Sequence, residues 1–203
     1  MSGRAVRSRL IELREAREAA RRGREVLEQK LELLRTELQR RSALRDQRRS
    51  ELAAELRPAR EAVEVARIEL GHRAVEAAAL AQPEAAPCSW TVGRVAGVEV
   101  PRLDWPVKPF ERRYGPGGTS ASLDAAAARF CRLLPRIVAL AGEEAAVRGL
   151  RWGLQRTARR LNALEKAVLP SLEIELSDLG AALAEEERED SFRRKLWIDS
   201  RSR

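Results

Sequence analysis

The residues best suited to chemistry are few: a glycine-rich loop over residues 115–120 and a single histidine, His72. The backbone amides of such a loop can bind phosphate, but this requires a lysine before the closing Thr or Ser and a strand that leads into the loop. The loop has neither, so we interpret it as a hinge before a helix. One imidazole cannot form a catalytic triad or a multi-histidine metal site, and we expect His72 to be solvated or packed.

Two further groups of reactive side chains also have structural explanations. Residues 185–190 carry five carboxylates and one arginine, but consecutive carboxylates on a helix point to different faces and bind a cation poorly. A solvated face, or a partner for a basic segment, is favoured. Cys88 and Cys131 lie far apart without zinc-site spacing, so two unpaired thiols are favoured and a disulfide is the alternative. The sequence indicates no enzyme, and we expect no metal or cofactor.

Arginine dominates the charge of the chain. Lys and Arg total 39 residues against 31 Asp and Glu, for a net charge of +8, and all but four of the cations are arginines. Nucleic-acid binding is one explanation, because arginine makes fork-shaped contacts with phosphates. However, acidic residues are interspersed almost throughout, and no basic stripe with stacking aromatics is visible. Ion pairs along helices are therefore the favoured explanation.

The elements that carry these residues are predicted to be long helices. Hydrophobic residues make up 44% of the chain but aromatic residues only 4%, which is too few large side chains for an ordinary globular core. Ala, Glu, Leu and Arg predominate, and all four are helix formers. No secretory signal and no apolar run of about 20 residues is visible, so we expect a soluble intracellular chain.

A heptad pattern predicts that the first arm, residues 1–82, is one long helix of a coiled coil. Its apolar residues alternate steps of three and four, the pattern of a left-handed supercoil. The positions concerned are Val6, Leu10, Leu13, Ala20, Leu27, Leu31, Leu34 and Leu38. Arg41, Arg45 and Arg48 then occupy positions where apolar residues are expected. We predict that the seam is interrupted there or that another subunit packs on it.

A connector, residues 83–118, separates this arm from a second helical arm, residues 119–203. The connector holds six of the nine prolines, and its valine-rich segment from Trp90 predicts a short β-hairpin that ends at Pro101. In the second arm the seam runs through Val168, and an extra step of four follows. Because this stutter coincides with Pro170, we expect local unwinding and a kink there.

Opposite charges near the two ends of the chain predict how the arms pair. Residues 4–24 carry a net charge of +5 and residues 185–190 a net charge of −4. Antiparallel arms place these segments side by side, where their attraction favours that orientation. We therefore predict an all-α fold: a long antiparallel two-helix coiled coil whose connector contains a short β-hairpin.

The second arm resembles the carboxy-terminal helix of the D subunit family, the central rotor shaft of V-type and archaeal A-type rotary ATPases. The residues that carry the resemblance are Thr157, Arg159, Arg160, Asn162, Ala163, Leu164 and Glu165, then Pro170, Leu172, Leu183, Glu187, Glu189, Arg194 and Lys195. In the first arm Lys30 matches the family, but Glu28 and Leu31 stand where the family has Lys and Arg. The connector resembles the family's hairpin motif at Gly97, Val98, Val100 and Pro101.

This resemblance implies a mechanical, non-catalytic role. The paired terminal portions would insert into a hexamer of catalytic and non-catalytic ATPase subunits. The middle portion would bind the small F subunit of the central stalk and rest on the funnel-shaped subunit of the membrane ring. ATP hydrolysis would turn the shaft and drive proton or sodium-ion transport, or ion flow would turn it and drive ATP synthesis. The candidate residues for contact with the hexamer are Arg22, Lys30, Arg159, Arg160, Asn162, Glu165 and Lys166.

The same resemblance implies a cytoplasmic protein that is peripheral to a membrane, does not insert into it and binds no nucleic acid. Two other hypotheses are a generic coiled-coil scaffold or adaptor and a basic helical hairpin that binds nucleic acid. Co-purification distinguishes them, because a shaft brings down the ATPase hexamer and a scaffold brings down other proteins. A nucleic-acid binder loses affinity steeply as the salt concentration rises.

Overall fold

The computed structural model describes residues 3–82, 88–106, 110–115, 117 and 119–201, with side chains between residues 6 and 198. Its elements are α1 (Gly3–Leu70), α2 (His72–Leu80), β1 (Ser89–Val95), β2 (Val98–Asp104), α3 (Ala121–Ala163), a π-helical turn (Leu164–Val168) and α4 (Leu169–Arg201). The two strands pair antiparallel. The predicted all-α coiled coil with a short β-hairpin is confirmed.

The chain forms two compact units: unit 1, residues 1–32 with 154–203, and unit 2, residues 33–153. Unit 1 pairs the start of α1 with the end of the chain. Arg7 Nη2 lies 3.1 Å from Glu187 Oε1, and Arg21 Nη2 lies 3.4 Å from Glu173 Oε1. Because the partner's number falls as the α1 number rises, the two segments are antiparallel, and the basic segment meets the acidic one as predicted.

Unit 2 repeats this pairing with the remainder of α1 and most of α3. Arg48 donates a hydrogen bond to the Ala139 carbonyl at 3.3 Å, and Arg129 donates one to the Pro58 carbonyl at 2.9 Å. The numbers again run in opposite directions, so the segments are antiparallel. Pro58 lies inside α1 without ending it.

The apolar seam predicted for the first arm is buried where its leucines recur. The most buried positions are Val6, Leu10, Leu13, Leu31 and Leu34. Arg17 and Arg24 occupy seam positions in unit 1 and are half-buried. Their charged ends pair with Glu18 and Glu28, at 3.5 Å and 3.4 Å. Their side chains therefore fill the seam, and the Nε atom of each is buried.

The first helix ends at Leu70 because Gly71 adopts a φ of +80°, a conformation that residues with a Cβ rarely adopt. The Gly71 amide donates to the Arg67 carbonyl at 2.9 Å, which completes the last turn of α1. The helix predicted over residues 1–82 is thus interrupted before α2. A small apolar core forms here from Ala66, Ala78 and Leu123, with Leu70, Val75 and Tyr114 packed against it.

The hairpin has a two-residue turn at Ala96 and Gly97, with φ values of +47° and +75°. Positive φ at both central residues is the requirement of a type I′ turn, whose twist matches that of the flanking strands. Pro101 does not end the hairpin, as the sequence had suggested, but pairs with Val92 inside β2, which continues to Asp104. A proline is tolerated because each strand of a two-stranded sheet has an unpaired edge.

The hairpin packs against α3 through a face of glycines. A Cβ added at Gly142 would lie 3.4 Å from the Leu103 nitrogen, and one added at Gly149 would lie 3.2 Å from the Glu99 carbonyl oxygen. A Cβ added at Gly153 would collide with Val98. The spacing of seven and four residues places the three glycines on one helix face. Their missing side chains let β2 approach the helix closely.

The second arm departs from α-helical geometry at the π-turn, which ends two residues before Pro170. The prediction that Val168 lies in the seam is wrong: Val168 is 41% exposed, and Leu169 takes the seam position with 9% exposure. The irregularity is therefore one inserted residue absorbed by a wider turn, not an extra step of four.

Candidate partner-binding site

All seven residues predicted to contact the hexamer lie in unit 1. Arg22 and Lys30 are on α1, Arg159, Arg160 and Asn162 are on α3, and Glu165 and Lys166 are in the π-turn. A Cβ added at Gly23 would lie 3.9 Å from Leu164 Cδ2, so Arg22 lies at the same level as the π-turn. The antiparallel pairing therefore brings the two sets of residues to one part of the unit.

Most members of this set point to solvent. Arg22, Arg159, Arg160, Asn162 and Lys166 are exposed, while Lys30 and Glu165 are half-buried. Long exposed cations can follow a moving partner surface, since individual surface ion pairs contribute only about 0–1 kcal/mol.

Three cations of this set differ from the arginines that tie unit 1 together. Near the amino terminus, Arg7 pairs with Glu187, and Arg9 lies 3.8 Å from Glu175. Over the described part of the chain, no carboxylate forms an ion pair with Arg159, Arg160 or Lys166. This surface is therefore electropositive and suited to an acidic partner.

In unit 2 the seam is interrupted at Arg41, Arg45 and Arg48, and an ion cluster forms there around Glu143. Its side chain is 9% exposed and lies 2.9 Å from Arg41 Nη1 and 3.2 Å from Arg48 Nη1. Arg45 instead pairs with Asp46 at 2.8 Å. Two of the three arginines thus point to the facing helix. Arginines at seam positions could have indicated a buried acid on the second arm, a signal that sequence reasoning missed.

Glu37 extends the cluster along α1. Arg40 and Arg41 donate to its carboxylate at 2.7 Å and 2.9 Å. The hydrogen bond from Arg40 and then that from Arg41, opposed by partial burial, lower the pKa of Glu37 to about 2. Glu37 therefore stays ionised at neutral pH.

The two strands of the connector hairpin differ in burial: β2 is partly buried and β1 is mostly exposed. Val100 is buried, Val98 and Pro101 are half-buried, and Gly97 is exposed at the turn. By contrast β1 is exposed along nearly its whole length. Its Trp90 is 67% exposed and its Val92 is 46% exposed. Among the hairpin residues, the apolar surface open to a partner is therefore on β1, which the sequence did not single out.

An apolar cavity of about 1020 Å³ lies beside α2 in unit 2. Its aromatic lining comes from Trp105, Phe110, Tyr114 and Phe130, with His72 among the other lining residues. Tyr114 donates to Asp124 at 2.6 Å, and burial together with this hydrogen bond raises the pKa of Tyr114 to about 12. Tyr114 therefore remains a neutral wall of the cavity, which is suited to apolar contact.

The remaining candidates for chemistry stay separate. Cys88 is exposed and Cys131 is half-buried, and both are free thiols. In the described part of the chain, no three His, Cys, Asp or Glu side chains are grouped so that they could hold a metal ion. None of the described helices has an apolar stretch long enough to cross a membrane.

Comparison with known proteins supplies a family for this arrangement. The family model described as the D subunit of ATP synthase matches residues 9–198. The chain is 35% identical to the D subunit of the V-type ATP synthase of Anaeromyxobacter dehalogenans, over 93% of this chain and 91% of that protein. It is 34% identical to the D subunit of the A-type ATP synthase of Halobacterium salinarum, over 94% and 86% of the two chains. It is 30% identical to the corresponding A-type D subunit of Pyrococcus furiosus, over 94% and 90%.

Proposed function

The chain belongs to the D subunit family of ATP synthases, and from this membership we propose that it is the central-stalk rotor shaft of a V/A-type ATPase or ATP synthase. It is a non-catalytic subunit of the rotary machine. It couples ATP hydrolysis or synthesis in the catalytic hexamer to rotation of the membrane ring and to proton or sodium-ion transport.

The observation that carries the mechanical part of the proposal is antiparallel helix pairing in both units, reinforced by ion pairs between segments distant in sequence. Arg7 with Glu187 ties unit 1, and Arg41 with Glu143 ties unit 2. A single helix twists easily, whereas two helices interlocked along an apolar seam resist twisting. Torque applied to one segment would therefore pass to its paired segment without the two slipping.

We infer that the arms, residues 1–82 and 119–203, enter the hexamer with their terminal portions. Arg22, Lys30 and the exposed cations Arg159, Arg160 and Lys166 would face acidic surfaces of the catalytic and non-catalytic subunits. Asn162 and Glu165 belong to the same proposed contact. Shifting contacts of this kind suit a bearing, since each is weak and none locks the rotor.

The connector, residues 83–118, is proposed to bind the small F subunit of the central stalk and to rest on the funnel-shaped subunit of the membrane ring. The exposed Trp90 and Val92 of β1 and the aromatic cavity support apolar contacts with such partners. In this arrangement the protein is cytoplasmic and bound to a membrane only through its complex.

Charge reversal at Arg159 and Arg160 tests the proposed contact. Because both are exposed, the Arg159→Glu, Arg160→Glu variant should fold normally but repel an acidic partner. In an ATPase complex reconstituted with this chain, we expect ATP turnover coupled to rotation to fall several-fold, by the repulsion of like charges. Circular dichroism should record unchanged helicity.

The matched control is Arg57→Glu with Arg60→Glu, which makes the same charge change at exposed positions of unit 2. This variant should retain normal turnover. Equal turnover by the wild-type chain and the Arg159/Arg160 variant would contradict the proposed contact. If the wild-type chain instead co-purified with other proteins and not with the hexamer, it would be a scaffold.

A further inference from the structure

Residues 110–115 form a segment without helix or strand that lies against the aromatic cavity of unit 2. We call this segment the strap. Phe110 and Tyr114 are half-buried and line the cavity, whereas the three residues between them are exposed. The strap therefore forms one wall of the cavity through the two aromatic side chains near its ends.

The backbone of the strap contributes little to holding it in place. Among the residues that the structure describes, no backbone hydrogen bond joins residues 110–115 to the backbone of another segment. The Gly115 carbonyl accepts a hydrogen bond from the Thr119 hydroxyl at 3.3 Å, but this bond is local. A segment with so few backbone hydrogen bonds opens at a lower free-energy cost than the helices around it.

Side chains hold the strap instead, and two of them converge on Asp124 in the first turn of α3. The Tyr114 hydroxyl donates to Asp124 Oδ1 at 2.6 Å, and Arg112 Nη1 donates to Asp124 Oδ2 at 3.2 Å. Each carboxylate oxygen thus accepts one hydrogen bond from the strap. Hydrogen bonds to a charged group are stronger than those between neutral groups, so this carboxylate is the main polar attachment of the strap.

The same cavity contains a group that can report on the strap. Cys131 of α3 lines the cavity and is a half-buried free thiol. A thiol is alkylated only when the reagent can reach its sulfur, so the rate of alkylation of Cys131 measures access to the cavity.

We propose that the strap is a gate of the aromatic cavity and that Asp124 is its pin. In the closed position Phe110 and Tyr114 complete the wall; when the hydrogen bonds to Asp124 break, the strap moves away and the cavity opens to solvent. Asp124 itself is not among the residues that line the cavity, so its loss frees the strap without removing part of the wall. The inference does not rest on the proposed function, because every contact in it lies within unit 2.

Alkylation of the full chain by N-ethylmaleimide tests the proposal in a Cys88→Ala background, where Cys131 is the only thiol. Asp124→Ala removes the pin, and Arg112→Ala with Tyr114→Phe removes both donors while leaving α3 unchanged. Both pin variants should react about ten-fold faster than the background, as expected from the loss of a charge-assisted hydrogen bond.

Two controls show whether the effect belongs to the strap. Asp46→Ala also removes a helical aspartate that pairs with an arginine, Arg45, and it should react like the background. Low concentrations of urea separate opening of the strap from unfolding of the protein. Opening of the strap exposes little surface, so the rate should hardly change with urea, whereas alkylation through unfolding rises steeply.

Unchanged alkylation in both pin variants would overturn the proposal. Faster alkylation that rises steeply with urea would also overturn it, because unfolding of the protein would then expose Cys131. Equal acceleration by Asp46→Ala would show that Asp124 has no special role, and the pin would have to be abandoned.

Discussion

At the scale of single residues, Glu143 is the most consequential side chain of unit 2. A buried carboxylate is costly unless it is paired, and Arg41 and Arg48 both reach it across the helix interface. Arg48 also donates to the Ala139 carbonyl, which satisfies a further hydrogen-bonding group. Both contacts require the register in which Arg41 and Arg48 lie opposite Glu143.

Removal of Glu143 should therefore destabilise the protein far more than removal of a surface charge. Glu143→Ala removes the acceptor that Arg41 and Arg48 share across the interface, while Arg41 keeps Glu37 and Arg48 keeps the Ala139 carbonyl, and we expect the free energy of unfolding to fall by about 1–3 kcal/mol. Urea denaturation followed by circular dichroism measures this loss. Arg57→Ala is the control, since Arg57 pairs with Glu61 on the surface and its loss should cost at most about 0.5 kcal/mol. Equal losses in the two variants would contradict the role given to Glu143.

At the scale of elements, the spacing of apolar residues predicted the buried seam of a helix. It did not predict contacts that depend on which other element packs against that helix. The leucine seam of α1 follows from heptad spacing, and so its buried positions could be predicted. The glycine face of α3 could not be predicted, because the need for glycine at Gly142, Gly149 and Gly153 is visible only when β2 is seen to pack closely against them. The π-turn was visible as an irregular step, but the sequence alone could not decide whether Val168 or Leu169 enters the seam.

Two glycine-to-alanine substitutions separate close packing from helix propensity. Gly153→Ala would place a Cβ against Val98, so we expect it to cost about 1–3 kcal/mol and to loosen the hairpin. Gly180→Ala meets no atom within 4 Å in α4 and should stabilise the protein by about 0.5–1 kcal/mol. Thermal unfolding and limited proteolysis at the hairpin measure both effects. If Gly153→Ala proved as stabilising as Gly180→Ala, the hairpin would not be packed on α3 as described.

At the scale of the whole molecule, the net charge is +8. Some of the arginines form ion pairs within the protein, and others form none with the residues that the structure describes. Arg7, Arg9 and Arg21 pair with acids on the facing segment of unit 1. Arg159 and Arg160 form no such pair with any residue that the structure describes. Composition alone could not separate the two groups, because pairing depends on the register of the helices. The resemblance to a family pointed to Arg159 and Arg160, and the pattern of pairing gives a physical reason for that choice.

The most direct test of the rotor-shaft account is to watch the chain turn. Cys88 is exposed and Cys131 is half-buried, so Cys131→Ala leaves a single accessible thiol for a bead. In a complex whose ATPase hexamer is fixed to a glass surface, we predict that the bead rotates in one direction when ATP is added and stops when hydrolysis is blocked. A hexamer that contains this chain and hydrolyses ATP while the bead stays still would contradict the account.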